Sequence, residues 1–171
     1  CYLGGAKTIQ TMMKKKNQII DIATIKAAQE RLRAEYPRMF AWQQATVQRG
    51  ISQGFLTDAF GRTRFFYGGR DDGPEMADYN PQSTIADITW IVMNAVHAVA
   101  VKYGGRLTTV VHDSFLVQVK AEHAPAATAE ITAILEQEFP QVAPGFRIPV
   151  SIKIGAPGQP WGELTTEVVN A

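Results

Sequence analysis

A carboxylate between two apolar runs is the residue of this chain best placed for metal chemistry. Asp113 follows His112 and separates residues 107–111 from residues 115–119, both rich in β-branched side chains. Such runs on either side of a short polar corner predict two antiparallel strands joined by a tight turn. A rigid hairpin would hold Asp113 where it can meet a metal ion. Aspartate is also common in turns for local hydrogen-bonding reasons, so the hairpin alone leaves both interpretations open.

The elements that would position Asp113 follow from the spacing of apolar residues. Helical spacing predicts helices over residues 7–15, 21–36, 39–48, 81–103 and 124–139. Alternation and β-branched composition predict strands over residues 54–57, 64–67 and 148–154 and on both sides of Asp113. Asp21 is the expected N-cap of the second helix, Pro37 is expected to end or bend that helix, and the third helix is expected to close before Gly50. The glycine-rich segment 68–74 is expected to be a loop.

This order of elements predicts an α+β fold, with helices on one face of a small antiparallel sheet. A helical portion, residues 1–53, should precede a portion with the sheet, residues 54–171. The helix predicted over residues 81–103 is apolar on much of its circumference. We therefore expect it to be a central, buried helix.

Length and composition are those of an ordinary globular chain with one proper core. The 171 residues are 46% hydrophobic and 19% charged, and we expect no apolar run long enough to cross a membrane. The single cysteine excludes an internal disulfide, and no cysteine and histidine spacing suggests zinc. A reducing, cytoplasmic location without a membrane partner is the expectation.

Charge is distributed unevenly along the chain. Residues 1–50 hold 9 Lys and Arg against 3 Asp and Glu, a net +6, whereas residues 51–171 hold 8 against 13, a net −5. The asymmetry predicts a basic part that faces an anionic partner and an acidic part that gathers cations. Two solvated surfaces without a partner are the alternative that these charges leave open.

Several short motifs accompany the hairpin in a definite order. They are YLGGAKT at 2–8, Tyr36-Pro37 with Phe40 and Trp42, TDAFGRTR at 57–64, PQSTIADI at 81–88, His112-Asp113, and Ile148-Pro149-Val150 with Gly155 and Trp161-Gly162-Glu163. In this order and spacing they resemble the end of the fingers and the palm of family A DNA polymerases, the bacterial DNA polymerase I group. The resemblance covers essentially the whole chain. It implies a helical fingers portion (1–53) followed by a palm portion (54–171), and a compact, divergent member suggests a phage or plasmid replicase.

The resemblance implies DNA polymerase activity with Mg²⁺ as cofactor. In such enzymes two metal ions held by carboxylates join a primer 3′-hydroxyl to the α-phosphate of a nucleotide. Asp113 matches the family's second palm carboxylate, a catalytic metal ligand, and His112 would lie beside the primer terminus. Tyr2 matches the end of the nucleotide-binding fingers helix. The implied partners are primer-template DNA and a deoxynucleoside triphosphate. For His112, an ordinary hairpin histidine is the alternative.

Three polar residues become candidate DNA contacts under the same resemblance. Gln82 could donate to minor-groove acceptors, which occur at every base pair, and so check pairing geometry without reading sequence. Arg62 and Arg64 follow a glycine turn like the family's Gly-Arg-x-Arg element and would contact the DNA backbone. A glutamine in an ordinary helical turn and a surface ion pair are the alternatives. Asp87 also matches a family aspartate, but an acid one helical turn beyond Gln82 can equally be a structural partner, and we do not expect it to be catalytic.

The chain departs from the family pattern in two places. Ser114 stands where the family usually has glutamate, and a serine there also occurs in single-subunit RNA polymerases, so a piece of such an enzyme is one alternative. Matches to the first metal-binding aspartate, and to the lysine and arginine that grip the triphosphate, would precede Tyr2. We therefore expect an N-terminal polymerase half as a partner, without which the chain cannot polymerise. A DNA-binding module of the same fold without catalysis is the other alternative.

The sequence begins at Cys1, where the resemblance puts the end of the nucleotide-binding helix. The N-terminal half would be either the same polypeptide before a cut or a separate chain. The thiol of a first-residue cysteine could also act as the acceptor nucleophile in a protein-splicing ligation. A split polymerase whose halves associate, or are joined at Cys1, is therefore one hypothesis for the assembly.

Overall fold

The computed structural model of the protein describes residues 5–167. The helices are α1 (Ala6–Lys15), α2 (Ile22–Glu35), α3 (Pro37–Gln53), α4 (Gly73–Lys102) and α5 (Ala124–Leu135). The strands are β1 (Phe55–Thr57), β2 (Thr63–Phe65), β3 (Arg106–Val111), β4 (Ser114–Gln118), β5 (Ile152–Ile154) and β6 (Thr165–Glu167). Short 3₁₀ turns cover Gly69–Asp72, Ala121–His123 and Trp161–Glu163.

The strands form three antiparallel two-stranded sheets, β1–β2, β3–β4 and β5–β6. The predicted α+β class is therefore confirmed. By packing, the chain divides into two compact units, Cys1–Ser83 and Thr84–Ala171, and the boundary lies inside α4. The domain boundary between residues 53 and 54 stays a prediction.

Helix α2 begins and ends where local chemistry predicts. The Asp21 carboxylate accepts the backbone N–H of Thr24 at 2.8 Å and its hydroxyl at 2.6 Å, and these bonds hold the pKa of Asp21 below its ordinary value. Pro37 cannot continue α2 and instead opens α3, because a proline at the first helical position lacks only an N–H that would find no helical partner.

Helix α3 runs past Gly50 to Gln53, so the prediction that it closes before Gly50 is wrong. Gly50 is buried in the helix, and a Cβ there would lie only 2.7 Å from the Met76 sulfur. The glycine therefore allows close packing and does not end the helix. The helix ends at Gly54, whose φ of 75° is the left-handed conformation common at helix C-termini.

The core of the first unit forms where the β1–β2 hairpin meets the start of α4. Leu56, Phe66, Met76 and Tyr79 make up the buried cluster, with the rings of Phe66 and Tyr79 packed edge to face. The Tyr79 hydroxyl also donates to the Arg62 carbonyl at 2.6 Å. Burial and a hydrogen bond thus fix the hairpin turn against the helix.

Helix α4 begins at Gly73, so both its predicted start at Pro81 and the predicted loop over residues 68–74 are wrong. The Asp72 carboxylate accepts the N–H of Gly68 at 2.7 Å and closes the 3₁₀ turn that leads into the helix. Pro81 lies inside α4 and has no N–H to donate along the helix. Fully buried Met76 and Ala77 on the preceding turn anchor the helix in spite of this loss.

The second half of α4 is buried on one face only, which corrects the expectation of a fully buried helix. Ile88, Val92, Val96 and Val99 are buried at helical spacing, whereas Trp90 and Ile91 on other faces are exposed. The apolar residues that fill the remaining circumference therefore meet solvent.

By length and composition, the segment Gly69–Lys102 could cross a membrane, since it has a window of mean hydropathy 1.5 that is 28% buried. The expectation that no apolar run reaches such a length is wrong by this criterion. A single such helix is weak evidence for a membrane, because the core helix of a soluble protein meets the same test.

The β3–β4 hairpin is the largest sheet contact of the second unit. Register runs from Arg106 opposite Gln118 to Val111 opposite Ser114, with an irregularity between Leu107 and Thr109 that leaves Thr108 as an extra, bulged residue. At its base, a Cβ on Gly105 would lie 1.8 Å from the Gln118 carbonyl oxygen. Only glycine allows the two backbone segments at the base of the hairpin to approach this closely.

Helix α5 ends at Leu135, four residues short of the predicted end at Phe139. Glu130 on this helix joins it to the end of α4, because its Oε1 accepts the Lys102 ammonium at 2.6 Å and the Tyr103 hydroxyl at 2.5 Å. The bond to Lys102, and then that to Tyr103, hold the pKa of Glu130 below its ordinary value. The same carboxylate raises the pKa of Lys102 and of Tyr103.

We expect Gly105→Ala to destabilise the protein by about 2 kcal/mol or more, because the new methyl group overlaps backbone that cannot move as a flexible side chain would. Urea unfolding measures the change. Gly162→Ala is the matched control, since nothing lies within 4 Å of a Cβ there, and it should change stability by less than about 0.5 kcal/mol. Equal stability of the two variants would contradict the close approach at Gly105.

Glu130→Gln should lower stability at neutral pH and lose its effect in acid. A carboxyl group whose folded-state pKa is depressed contributes stability above its unfolded pKa, and that contribution disappears as the pH falls through the folded-state value. The difference in unfolding midpoint between wild type and variant should therefore shrink below about pH 4.5. Glu163→Gln, at an exposed site, is the control. A difference that is constant from pH 7 to pH 3 would contradict the ion pair.

Candidate functional site

The turn between β3 and β4 consists of His112 and Asp113 alone. Val111 and Ser114 are the last paired residues, so strand, two-residue corner and strand follow as the sequence predicts. His112 has a φ of 55°, whereas Asp113 has a negative φ. A positive φ at the first central residue alone is the φ pattern of a type II′ hairpin turn, a position that glycine usually occupies.

A histidine in this conformation stores backbone strain. Left-handed backbone places Cβ against the neighbouring carbonyl at a cost of roughly 1–2 kcal/mol. Such strain persists only where the surrounding structure imposes it, and it is concentrated at functional sites. The paired strands on both sides of His112 provide this constraint on its backbone.

The Asp113 carboxylate is exposed and makes no hydrogen bond or ion pair within residues 5–167. Carboxylate oxygens are the ligands that Mg²⁺ prefers, and Mg²⁺ is commonly held by one or two carboxylates together with substrate phosphates. Asp113 therefore fits one ligand position of such a site. In the described part of the chain, no three His, Cys, Asp or Glu side chains cluster as a complete metal site.

A cavity of about 330 Å³ lies beside the same turn. Side chains of α4 and β3 line it together with the turn histidine; they are Ala86, Thr89, Trp90, Met93, Val110 and His112. The cavity is mostly apolar and is at the small end of the range typical of ligand sites. At the hairpin corner an exposed acid, a strained histidine and a cavity therefore lie next to one another.

The turn of the β1–β2 hairpin holds the candidate DNA contacts Arg62 and Arg64. Asp58 is buried here and accepts the N–H groups of Phe60 and Arg62 at 3.0 and 2.9 Å, so this acid shapes the turn. Arg62 is exposed. The Arg64 guanidinium pairs with Glu75 and lies 5.0 Å from the centre of the Phe66 ring.

Gln82 is exposed on α4, and its side-chain amide donates to Asp78 Oδ2 at 2.8 Å. The other oxygen of Asp78 is buried and accepts no hydrogen bond from the described residues. Sequence reasoning missed Asp78, although an acid four residues before a glutamine on one helix is a recognisable pairing. Asp78 holds the amide of Gln82 in a fixed orientation.

The structure groups the predicted residues by unit. Arg62, Arg64 and Gln82 belong to the first unit, and His112 and Asp113 to the second. Asp87, which we do not expect to be catalytic, is buried in α4. Tyr2, like Cys1, lies outside the described residues, so the proposed nucleotide contact and the proposed ligation stay predictions.

Comparison with known proteins identifies the class. The model of DNA polymerase family A matches residues 8–163. The matched range includes both hairpins, α4 and every candidate site residue except Tyr2. This chain belongs to DNA polymerase family A.

Curated relatives are thermostable DNA polymerases I of the genus Thermus. The protein from Thermus filiformis is 27% identical over 152 residues, 84% of this chain and 18% of the relative. The protein from Thermus thermophilus strain ATCC 27634 is 29% identical over 140 residues, which are 77% of this chain and 16% of the relative. The protein from Thermus aquaticus is 25% identical over 140 residues, with the same two coverages. The aligned part of this chain thus spans less than a fifth of each relative.

The strain at His112 gives a stability prediction. His112→Gly should be about 1 kcal/mol more stable than His112→Ala, because both lack the imidazole but only glycine adopts a positive φ without a steric cost. Urea unfolding of the two variants measures the difference. If the alanine variant proved as stable as the glycine variant, the left-handed conformation at residue 112 would be wrong.

Proposed function

We propose that this chain supplies part of the active site of a template-directed DNA polymerase that extends a primer 3′-hydroxyl. The observation that carries the proposal is Asp113, an exposed acid on a rigid two-residue turn in a chain of DNA polymerase family A. The remainder of the polymerase, including a second metal-binding carboxylate and the triphosphate grip, would come from an N-terminal half. Primer-template DNA and deoxynucleoside triphosphates are the proposed partners, in a cytoplasmic setting.

Asp113 would hold Mg²⁺ through its carboxylate oxygens. The chemistry that Mg²⁺ would supply there is activation of the primer hydroxyl and neutralisation of charge on the triphosphate. The protein would contribute a fixed backbone position, because the paired strands β3 and β4 hold the turn from which the Asp113 side chain projects.

His112 would act beside the primer terminus as a positioning residue. Its strained backbone sets the imidazole at the cavity rim. An imidazole there can donate a hydrogen bond to a phosphate or sugar oxygen, and a neutral ring can also accept one. Such a contact would hold the terminal nucleotide in reach of the metal site.

Gln82 would test base pairing behind the primer terminus. Its amide can donate to purine N3 or pyrimidine O2, which a correct pair presents at a constant position in the minor groove. Asp78 restricts the rotation of the amide in advance, which lowers the entropic cost of ordering Gln82 on DNA. Arg62 and Arg64 would contact the sugar-phosphate backbone nearby, and Arg64 would then exchange its bond with Glu75 for one with phosphate.

Asp113→Asn, in the complete polymerase that contains this chain, should reduce nucleotide incorporation to below about a tenth of wild type, because the ligand charge is lost while the shape is kept. Primer extension measures the rate, and fluorescence anisotropy of labelled primer-template should show binding largely unchanged. Asp71→Asn, an exposed acid on the 3₁₀ turn before α4, is the matched control and should retain activity. An Asp113→Asn enzyme with near-normal rates would remove Asp113 from the metal site.

Gln82→Ala should weaken primer extension without abolishing it and should lower the preference for correctly paired primer ends. The physical reason is loss of the donor that only a well-formed pair satisfies. The measurement is the ratio of extension rates from matched and mismatched primers, with the exposed Gln137→Ala as control. An unchanged ratio in Gln82→Ala would exclude the minor-groove role.

A further inference from the structure

The β1–β2 hairpin turns two phenylalanines toward solvent. Phe55 and Phe65 are directly opposite each other in the register, and side chains alternate between faces along each strand. Leu56, the residue after Phe55, faces the other side of the hairpin and is buried in the core of the first unit. The opposite face, which we call the outer face, therefore carries Phe55 and Phe65 and, one pair further along, Thr57 and Thr63.

The outer face is unusually apolar and aromatic for solvent-exposed sheet. Phe55 is 36% exposed and Phe65 is 58% exposed, and Tyr67 just beyond β2 is 91% exposed. The two phenyl rings lie 5.8 Å apart between centroids with 52° between their planes. Within the first unit's described residues they contact each other, but neither belongs to the buried cluster. Their π-faces and edges are available to a ligand.

The threonine pair adds polar capacity next to the rings. The Oγ1 atoms of Thr57 and Thr63 lie 2.9 Å apart, and one hydroxyl donates to the other. The hydrogen of the accepting hydroxyl remains available to an acceptor outside the hairpin. A face with stacking surfaces and a hydroxyl donor suits a ligand that alternates flat rings with anionic oxygens.

Charge selects the class of ligand. Residues 5–83 hold 12 Lys and Arg against 8 Asp and Glu, a net +4, and exposed Arg62 lies at the turn of this same hairpin. Proteins that bind single-stranded nucleic acid combine positive charge for the backbone with aromatic side chains on which bases stack. The hairpin itself, residues 55–65, holds Arg62 and Arg64 against Asp58, a net +1, so aromatic rings and a positive charge occur together in one short hairpin.

We propose that the outer face binds single-stranded DNA by stacking unpaired bases on Phe65 and Phe55. The inference rests on the proposed function for the choice of DNA, and it goes beyond it because the contacts are to unpaired bases, which neither the proposed Mg²⁺ ligand nor the proposed minor-groove contact would bind. Phe65, the more exposed ring, carries most of the stacking. The Thr57 and Thr63 hydroxyls and Arg62 contact the adjoining phosphates.

The test measures binding of the full-length protein to a fluorescein-labelled oligo(dT) of about a dozen nucleotides, a length within the range one such module covers. Phe65→Ala should weaken binding about fivefold or more, the lower end of the effect of losing one stacked base. Phe65→Tyr should bind like wild type because the ring is kept. Phe65→Leu should bind like Phe65→Ala, since it keeps the apolar area but loses the ring.

Two measurements separate stacking from other causes. The slope of log affinity against log salt should be unchanged in Phe65→Ala, because no phosphate contact is removed. A 2-aminopurine base in the oligonucleotide should lose fluorescence on binding to wild type and to Phe65→Tyr, but not to Phe65→Leu. Trp161→Ala, an exposed aromatic of the second unit, is the matched control and should bind like wild type.

Several outcomes would overturn the inference. Wild-type affinity in Phe65→Ala, or wild-type affinity in Phe65→Leu, would show that ring stacking does not occur. A concentration-dependent dimer in sedimentation that Phe65→Ala abolishes, with oligo(dT) affinity unaltered, would assign the outer face to a protein contact. Oligo(dT) binding that depends on Phe65, in a complete enzyme that fails to extend primers, would refute the proposed polymerase function and leave the stacking site in place.

Discussion

The constraint on which the candidate site depends is the closure of the β3–β4 hairpin in two residues. The two-residue turns that match the twist of paired strands have a positive φ at the first central residue, which accounts for the left-handed backbone of His112. The close approach of Gly105 to the Gln118 carbonyl fixes the base of the same hairpin. The turn is therefore held at both ends by backbone geometry. This geometry fixes the direction in which the Cα–Cβ bond of Asp113 leaves the turn, and the carboxylate is exposed and unpaired within the described chain.

Local patterns predicted the elements whose signals are local. Two β-branched runs around a polar corner predicted the β3–β4 hairpin, and Asp21 with Pro37 predicted both ends of α2. Prediction failed where tertiary packing overrides a local rule. Gly50 lies inside α3 because the Met76 side chain packs where a Cβ at residue 50 would be. Helix α4 starts before Pro81 because buried residues anchor the preceding turn. The same limit explains the exposed apolar residues of α4, since periodicity shows how wide an apolar face is but not what covers it.

The candidate site could be predicted residue by residue but not as an arrangement. The sequence singled out Asp113, His112, Gln82, Arg62 and Arg64 by motif, whereas their partners appeared only in three dimensions. Asp78 holds the amide of Gln82, and Glu75 holds the guanidinium of Arg64. These partners distinguish Gln82 from Arg64 as candidate DNA contacts. Breaking the single hydrogen bond of the neutral Gln82 amide costs less free energy than breaking the ion pair of Arg64.

The bulge at Thr108 has a consequence for how this hairpin tolerates change in length. One extra residue in β3 reverses the alternation of side chains between the two ends of the strand, so Arg106 and Leu107 follow a different phase from Val110 and Val111. Deleting Thr108 would keep the pairing next to the turn and restore a regular ladder. A deletion at residue 110 would instead move the side chains of the turn to the opposite face of the hairpin. The bulge is thus the point where the strand can gain or lose a residue in evolution without moving Asp113.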